Sequence, residues 1–536
     1  MALKRKYPVG IQSFERIRKS GMVYVDKTRL IEKILAEEGS YFLSRPRRFG
    51  KSLLVSTLAA VFEGKRELFE EFTTEEGILQ PRLYIAQTSW RWEKYPVIRF
   101  DFSAGDLRTI EQLDALIDDT LMGYEKEYGI QPDLPDSNIR MRHLLRTAYN
   151  QTGKGVVVLV DEYDNFILHA LGDREKTELA RQRFQNVFGP LKEMDAYLKM
   201  VFITGISKFS QMGVFSKLNQ LKNISMRDDF SGICGITEGE LVTQLRPDIE
   251  WMAERNAVTY DEMLTLLKAR YDGYHFSGAL EDIYNPFSLL SAFDSKKLDD
   301  YWFASGTSKA VIDMLSQMPP LQLTELDGGE YMPTMFDQPF ESFDTPLPIL
   351  YQSGYLTIKG FDREFGDYTL GFPNSEVRRG FADCLYTHVA AVKGIDNNKN
   401  GLFQAYKQFS RTGELDDFIE AIRIFFSGVP YQLEQGNKNE HHYHAMLYTL
   451  LVAFGADVIA EEPSAKGRAD ITLRMPKGIY VMELKYDHSA QEAIDQIDRC
   501  GYALKYGFSG LPVYKVGLSF SSSERNITEW KVEKSC

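Results

Sequence analysis

The 536-residue chain has few cysteines and lacks any long hydrophobic run. Its four cysteines are scattered and form no Cys-x-x-Cys pair, which argues against a zinc ribbon and against a disulfide framework. The longest apolar stretch, Ala445 to Ala460, contains Asp457 and is too short to span a bilayer. The opening residues, MALKRKYPVG, are followed by no apolar segment, so no secretory signal is expected. These absences predict a cytoplasmic protein without membrane contact.

A general excess of positive charge is also missing. The formal net charge is −13 at pH 7, whereas binding to a nucleic-acid backbone needs clustered Lys and Arg. Residues 1–52 are the exception, with thirteen Lys or Arg against five Asp or Glu. This segment is therefore the best candidate for a nucleic-acid contact, and a solvated basic face is the alternative. The length predicts two to four domains.

Four apolar runs in the first 210 residues are typical of buried parallel strands. The intervals between them leave room for helical crossovers, such as 52–62 and 110–128. This alternation predicts an α/β fold whose sheet is covered on both faces. The predicted strands are Tyr41–Leu43, Pro96–Phe102, Val156–Val160 and Met200–Thr204.

The segment 41–60, YFLSRPRRFGKSLLVSTLAA, contains the end of a phosphate-binding loop. A short apolar strand runs into a turn, which is followed by Gly50, Lys51, Ser52 and a helix. Gly50 lets backbone N–H groups approach phosphates, Lys51 reaches the β- and γ-phosphates, and the Ser52 hydroxyl ligates Mg²⁺. The N-terminus of the helix adds a partial positive charge. This pattern predicts a site for ATP.

A buried strand that ends in two acidic residues indicates the second half of the nucleotide site. Val156–Val160 is apolar, and Asp161 and Glu162 follow it in a Walker B pattern. Asp161 is predicted to hold Mg²⁺ through water or Ser52, and Glu162 to orient the attacking water. A third strand ends at Thr204, where a polar sensor of the γ-phosphate would lie. The alternative is an ordinary buried strand that happens to end in acids.

Several segments resemble the AAA-ATPase-like family of bacterial proteins. They are IQSFERIRKSGMVYVDKTRLI, FLSRPRRFGKSLL, FEGKRELF, VDEYDNFI and TGISKFSQMGVFSKLNQL, and the likeness continues through YDGYHFSG, IYNPFSLL and LYQSGYLTI. The resemblance covers nearly the whole chain and implies an ATP-binding fold. In that family the Arg-Pro-Arg-Arg-Phe-Gly-Lys-Ser loop replaces the regular Walker A motif.

Arg45 stands where the general Walker A motif has its first glycine. Its backbone is not expected to adopt the usual loop turn. We therefore predict a modified loop in which Arg45, Arg47 or Arg48 approaches the nucleotide or a nearby acidic group. The full set of predicted nucleotide contacts is Arg45, Arg47, Arg48, Phe49, Gly50, Lys51, Ser52, Asp161 and Thr204.

Two carboxylates and one ammonium group are predicted to converge in the last hundred residues. Two strand candidates flank a turn at Pro476-Lys477, and with that turn Asp470 lies opposite Glu483. Directly opposed residues point to one face, and Lys485 shares the face of Glu483 by the period of two. Like charges so close repel unless a cation lies between them, and oxygen ligands select Mg²⁺ or Mn²⁺. The alternative is an ordinary surface hairpin with a Glu–Lys pair.

The spacing Asp-x12-Glu-x-Lys resembles the PD-(D/E)XK nuclease superfamily, although Ala469 stands where the proline of that motif would be. The resemblance implies that Asp470 and Glu483 bind a metal ion. It also implies that Lys485 positions the attacking water or stabilises the charge that develops on phosphorus. Glu440 lies on a helix that is expected near this metal site, and it is predicted as an outer metal ligand. The histidines that follow Glu440 in the sequence are expected to be structural.

The sequence thus predicts an α/β protein with five segments. They are a P-loop ATPase core at 1–235, a helical lid at 236–330, a winged-helix-like connector at 331–395, a helical linker at 396–429 and a PD-(D/E)XK nuclease-like domain at 430–536. The predicted function is an ATPase that controls a metal-dependent nuclease acting on nucleic acid, with DNA favoured over RNA, in defence against foreign nucleic acid. The alternative is a nucleotide-gated switch that binds nucleic acid or a protein partner without cutting. Nothing in the sequence indicates the oligomeric state.

Overall fold

A computed structural model describes most of the chain, namely residues 5–37, 39–103, 107–131, 136–170, 173–207, 221–306, 326–338, 346–392, 399–427 and 440–535. The chain forms two compact units. The first contains residues 1–314 and 329–376, and the second contains residues 315–328 and 377–536. Within the described ranges, no helix is long and apolar enough to cross a membrane.

The strands of the first unit belong to one large sheet and three small ones. In chain order they are β1 (Gly39–Ser44), β2 (Phe72–Thr73), β3 (Leu79–Gln80), β4 (Val97–Asp101), β5 (Val156–Asp161), β6 (Leu198–Gly205), β7 (Leu221–Asn223), β8 (Ile236–Thr237), β9 (Ile283–Tyr284), β10 (Gly329–Tyr331), β11 (Thr357–Phe361) and β12 (Tyr368–Gly371).

The helices of the first unit cover the large sheet and form the segments that follow it. They are α1 (Phe14–Lys19), α2 (Thr28–Ala36), α3 (Lys51–Phe62), α4 (Ile110–Glu127), α5 (Ser137–Thr152), α6 (Asn165–His169), α7 (Arg174–Phe188), α8 (Pro190–Glu193), α9 (Glu238–Gln244), α10 (Arg246–Arg255), α11 (Tyr260–Tyr271), α12 (Pro286–Ser295), α13 (Tyr301–Gly306), α14 (Pro333–Phe336) and α15 (Leu347–Ser353).

The large sheet has the strand order β4-β5-β6-β1-β7, and every neighbouring pair is parallel. All residues of β5 are buried, as expected for a strand covered on both faces. The four predicted strands are confirmed as β1, β4, β5 and β6. β7 was not predicted, because its three residues form no apolar run. Since the strands are parallel, their carboxyl ends meet at one edge of the sheet.

The segment predicted as a helical lid contains α9 to α12, which share a buried apolar core. Local sequence explains where two of these helices begin. The side chains of Thr237 and Thr259 accept hydrogen bonds from backbone N–H groups in the first turn, and Glu240 and Glu262 complete two capping boxes. After α15, the strands β11 and β12 form an antiparallel hairpin, and β10 adds a third strand. This helix and hairpin lie in the segment predicted as a winged-helix-like connector, residues 331–395.

The second unit contains a five-stranded sheet in the order β13-β14-β15-β16-β17, in which only β15 and β16 pair in parallel. The side chain of Val481 packs with α20, whereas the ring of its neighbour Tyr480 contacts Phe409 of α17, so helices cover both faces. The elements are α16 (Ser375–Val392), whose first two residues belong to the first unit, α17 (Lys399–Thr412), α18 (Asp416–Ser427), α19 (Glu440–Ala453), β13 (Asp457–Ser464), β14 (Gly467–Met475), β15 (Gly478–Tyr486), α20 (Ala490–Cys500), β16 (Val513–Ser521) and β17 (Asn526–Lys534).

The hairpin of β14 and β15 turns where the sequence predicted. Met475 pairs with Gly478, and the register continues without a shift to Ile471 and Met482. The turn therefore lies at Pro476-Lys477. A slip of one residue would have turned Asp470 to the opposite face, so this register is what places the candidate site.

Candidate functional site

The phosphate-binding loop connects β1 to α3 at the carboxyl edge of the large sheet. Gly50, the residue before α3, has φ of +92°, a conformation that only glycine adopts without strain. Among the described residues, no side chain caps this helix end, so its first N–H groups have no side-chain acceptor there. Lys51 is buried, and its Nζ donates hydrogen bonds to the carbonyls of Arg45 at 2.9 Å and Pro46 at 3.0 Å. The ammonium group is thus held inside the loop, next to the helix end.

Asp161 lies at the same edge, fully buried at the end of β5. Its Oδ1 accepts a hydrogen bond of 2.7 Å from the Thr204 hydroxyl at the end of β6. Its Oδ2 has no hydrogen-bond partner within the described part of the chain. Burial raises the pKa of Asp161, and interactions with the Thr204 and Ser52 hydroxyls oppose that rise. A buried carboxylate oxygen beside the Ser52 hydroxyl fits the hard oxygen ligands that Mg²⁺ requires.

Glu162 has a left-handed backbone, with φ of +50°, which is strained for a residue with a Cβ. Tyr163 fixes the turn, because its N–H donates to the Thr204 carbonyl at 3.3 Å. Asp164 fixes it further by accepting hydrogen bonds from the N–H of Ile206 and the hydroxyl of Ser207. Burial raises the pKa of Glu162, and the charge of Lys51 opposes the rise. The turn therefore presents Glu162 next to Lys51.

The guanidinium of Arg45 is turned into the protein. It is 2% exposed, and it donates to the carbonyls of Ser225 at 2.7 Å, Ser44 at 2.9 Å, Phe230 at 3.2 Å and Ser231 at 3.3 Å. It also lies 4.1 Å from the ring centre of Phe276. This side chain therefore connects the phosphate-binding loop to the segment 225–231, and its contribution to nucleotide binding stays a prediction.

The rest of the loop is held by aromatic residues. The carbonyl of Arg47 accepts a hydrogen bond of 3.2 Å from the indole N–H of Trp302. Phe49 is buried against two rings of the YDGYHFSG segment, with centroid distances of 4.7 and 5.3 Å. Arg48 is exposed, has φ of +68° and lies 4.7 Å from the ring of Phe287. The buried Phe49 thus anchors the loop, while Arg48 remains accessible from solvent.

Two charged residues of β4 join the site and were not predicted. Asp101 is paired in register with Asp161. The Nη2 of Arg99 lies 3.2 Å from Asp101 Oδ2 and 3.7 Å from Asp161 Oδ2. The sequence carried one signal for them, because Asp101 lies near the carboxyl end of an apolar run just as Asp161 does.

A largely apolar slot of about 580 Å³, part of it open to solvent, lies beside the first turns of α3. Side chains from the N-terminal segment, from α3 and from the lid form its walls. Its lining residues are Pro8, Val23, Tyr24, Val25, Lys27, Phe49, Gly50, Leu53, Leu54, Thr57, Ile233, Cys234, Gly235, Ile236, Pro286 and Leu290.

In the second unit, Asp470 and Glu483 lie at the end of the β14–β15 ladder. The last ladder pair is Ile471 with Met482, and the Oδ2 of Asp470 accepts a hydrogen bond of 2.7 Å from the N–H of Leu484. Beyond the last ladder pair, the backbone N–H of Leu484 thus donates to the side chain of Asp470 and not to a backbone carbonyl of β14. Glu483 is 1% exposed. The hairpin therefore brings both carboxylates to one end of the ladder.

Lys485 extends the same site. Its Nζ lies 3.2 Å from Glu483 Oε1 and 3.0 Å from the Leu484 carbonyl. A deeply buried carboxylate with a neighbouring carboxylate needs cationic partners. The donor set of two carboxylates fits Mg²⁺ or Mn²⁺. The side chain of Glu440, the predicted outer ligand, lies outside the described part of the structure, so that prediction stays open.

His444 and Tyr502 flank this site and were not assigned to it from sequence. His444, buried on α19, has its Nε2 2.7 Å from the carbonyl oxygen of Asp470, so it holds the backbone of a candidate metal ligand. Burial raises the pKa of Tyr502 to about 12, a hydrogen bond from Gln496 opposes the rise, and the charge of Glu483 adds to it. The charge of Glu483 thus acts on Tyr502, and Gln496 is a hydrogen-bond partner of Tyr502.

A further group of carboxylates lies in the lid and already has a cationic partner. The ligand atoms of Glu238, Asp272 and Asp282 lie within 4.8 Å of one another. The ammonium group of Lys268 is 2.6 Å from Glu238 and 2.8 Å from Asp282. This lysine offsets part of their negative charge, and the group is therefore explained as an ion-pair network.

Comparison with known proteins finds a family match for each of the two regions that hold these candidate sites. Residues 8–215 match the family described as Predicted AAA-ATPase, and residues 438–530 match the PD-(D/E)XK nuclease superfamily. The chain is thus an AAA-ATPase-like protein with a C-terminal PD-(D/E)XK nuclease superfamily domain. It is 30% identical to the "Uncharacterized protein in vnfD 5'region" of Azotobacter chroococcum mcd 1, over 99% of both chains. It belongs to the same family as that protein.

A solved structure was also similar, a Signal Transduction ATPase with Numerous Domains (STAND) protein with a tetratricopeptide repeat sensor from Pyrococcus horikoshii. The sequence identity is 14%, and the match covers 81% of this chain and 52% of that chain. The chain thus spans about half the length of the STAND protein. The TM-score is 0.25, which is too low to support an inference.

Proposed function

We propose that the first unit binds ATP with Mg²⁺ and hydrolyses it. The observation that carries this proposal is the convergence of Lys51, Ser52, Asp161 and Thr204 at one edge of a parallel sheet. Ser52 and Asp161 would hold Mg²⁺, and that ion would neutralise charge on the phosphates. Lys51 would exchange its two loop carbonyls for phosphate oxygens, and Glu162 would accept a hydrogen bond from the attacking water.

We propose that the apolar slot beside α3 receives the adenine base. It begins at Gly50 and Leu53, so a nucleotide whose phosphates lie on the helix end can reach it. The walls are mostly aliphatic, which suits a flat aromatic base, and Lys27 and Thr57 supply polar groups at its edge.

The ATPase proposal is tested by calorimetric titration with ATP and by measuring phosphate release. Lys51→Ala should abolish ATP binding, whereas Glu162→Gln should bind ATP but not turn it over. Lys19→Ala removes the charge of an exposed lysine and serves as the matched control. Unchanged ATP affinity in Lys51→Ala would remove the proposal.

We propose that the second unit hydrolyses phosphodiester bonds of nucleic acid, with DNA as the favoured substrate. Asp470 and Glu483 would hold Mg²⁺ or Mn²⁺, which would polarise the phosphate and help to generate hydroxide. Lys485 would donate a hydrogen bond to the attacking water or to a phosphate oxygen. The water oxygen forms a bond to phosphorus, the bond to the leaving sugar oxygen breaks, and that oxygen takes a proton.

The nuclease proposal is tested with purified protein, plasmid and Mg²⁺ or Mn²⁺. Asp470→Asn and Glu483→Gln should each abolish nicking and leave ATP turnover intact, because the two chemistries use different units. Asp457→Asn, at an exposed acid on the adjacent strand, is the matched control and should cut normally. Continued cutting by both site variants would show that the hairpin is not the catalytic centre.

We further propose that ATP controls cutting, in the cytoplasm, in defence against foreign nucleic acid. The functional division that we propose follows the five segments predicted from sequence, with the ATPase core at 1–235 and the nuclease-like domain at 430–536. The rate of plasmid nicking should differ between ATP, ADP and no nucleotide. Glu162→Gln, which should bind ATP without hydrolysing it, should keep the nicking rate that is seen with ATP. A protein that binds DNA in an ATP-dependent way and never cuts would instead be the nucleotide-gated switch.

A further inference from the structure

Arg99 is a cation at the nucleotide site for which the P-loop motifs provide no role. It lies on β4, in register with Leu159 and two residues before Asp101. Its side chain runs along the sheet to the carboxyl edge, where Nη2 lies 3.2 Å from Asp101 Oδ2 and 3.7 Å from Asp161 Oδ2. The backbone of Arg99 is fixed, because its N–H donates to the Tyr124 hydroxyl at 2.8 Å. Its guanidinium thus lies beside Asp161 Oδ2, the oxygen that is expected to face Mg²⁺.

The present partners of Arg99 can release it at little cost. The side chain of Asp101 is 35% exposed and that of Arg99 is 29% exposed, so water can replace their ion pair. The other oxygen of Asp101 accepts hydrogen bonds from the N–H and hydroxyl of Ser103, which hold the carboxylate in place without Arg99. For Asp161, a bound metal ion would take over the neutralising role. The Nε of Arg99 has no hydrogen-bond partner within the described residues, so the guanidinium has unused donor capacity.

We propose that Arg99 is a catalytic residue supplied by the chain itself, which contacts the γ-phosphate of ATP and leaves Asp101 when ATP binds. A planar guanidinium matches phosphate oxygens, and an arginine at this place would stabilise the charge of the transferring group. Asp101 is the partner that holds Arg99 until ATP binds. The inference rests on the proposed ATPase function. In addition, the site would discriminate ATP from ADP, because Arg99 on β4 would contact the γ-phosphate that ADP lacks.

The test compares nucleotide affinities, because a merely structural role would affect ATP and ADP alike. Arg99→Gln should weaken binding of ATP about tenfold or more, the size of one charge-assisted hydrogen bond, and change the ADP affinity less than about twofold. Arg99→Lys should lie between Arg99→Gln and the wild type. Asp101→Asn removes the competing partner and should increase the preference for ATP over ADP. Calorimetry on the full chain, in Mg²⁺ and again in EDTA, gives these values without relying on turnover.

A thermal melt of each variant shows whether it is folded. If Arg99→Gln does not fold, the comparison of ATP and ADP affinity is made with Arg99→Lys. Equal losses for ATP and ADP, or no loss for either, would overturn the inference while the ATPase proposal stands. If the wild-type chain binds neither nucleotide, the ATPase proposal fails and the role of Arg99 fails with it. If ATP binding weakens and the kcat for ATP falls in Arg99→Gln while ADP binding is unchanged, the residue acts on the γ-phosphate as proposed.

Discussion

Restoring the general P-loop glycine at position 45 should damage this protein. Arg45→Gly deletes a guanidinium that donates to the carbonyls of Ser225, Phe230 and Ser231, all in buried residues. Each buried carbonyl that loses its donor costs about 1–3 kcal/mol. Water entering the vacated space offsets part of this, and the lost contact with Phe276 and the cavity add to it. We therefore expect a loss of roughly 3–5 kcal/mol in the free energy of unfolding, in the lower part of the sum for three such carbonyls.

The matched control is the same substitution three residues along the loop. Arg48 is exposed and has φ of +68°, so Arg48→Gly removes backbone strain and no buried hydrogen bond. Its free energy of unfolding should change by less than about 1 kcal/mol, in the stabilising direction.

Urea denaturation, followed by tryptophan fluorescence, measures both variants in the same buffer. ATP affinity is measured in parallel below the unfolding transition. Arg45→Gly should also bind ATP more weakly, because the carbonyls that hold Lys51 belong to Arg45 and Pro46. An Arg45→Gly protein as stable as the wild type, with normal ATP affinity, would refute the view that this arginine is a structural connection between the loop and the segment 225–231.

Two more predictions concern buried polar groups. Burial raises the pKa of Glu376 to about 7, against 4.5 for a free glutamate. The folded protein therefore holds a proton that the unfolded chain releases, and stability that is present below pH 4.5 is lost as the pH rises through 7, by roughly 3 kcal/mol. Glu376→Gln should accordingly raise the Tm at pH 8 and hardly change it at pH 5, and an equal shift at both pH values would contradict this. His444→Ala should weaken Mn²⁺ binding at the Asp470 site about tenfold, because the ring fixes the Asp470 carbonyl, with His488→Ala as the exposed control. Equal Mn²⁺ affinity in both variants would show that the ring has no positioning role.

The sequence alone determined the elements that depend on local pattern. An apolar run such as Val156–Val160 must be buried, so it predicted its own strand and placed the acids that follow it at a sheet edge. The β14–β15 hairpin was equally determined, because a turn at Pro476-Lys477 and the period of two fix which residues face each other. Both candidate sites were therefore found without coordinates.

Only the tertiary structure decided which distant residues meet at these sites. The strand order places β4 next to β5, so Arg99 and Asp101 reach Asp161, and no local pattern encodes that neighbour. The direction of Arg45 was equally inaccessible, because three of its four hydrogen-bond acceptors lie 180 or more residues away on the backbone, where any residue type offers the same carbonyl. Periodicity reports burial within one element, whereas contacts between elements depend on packing over the whole unit.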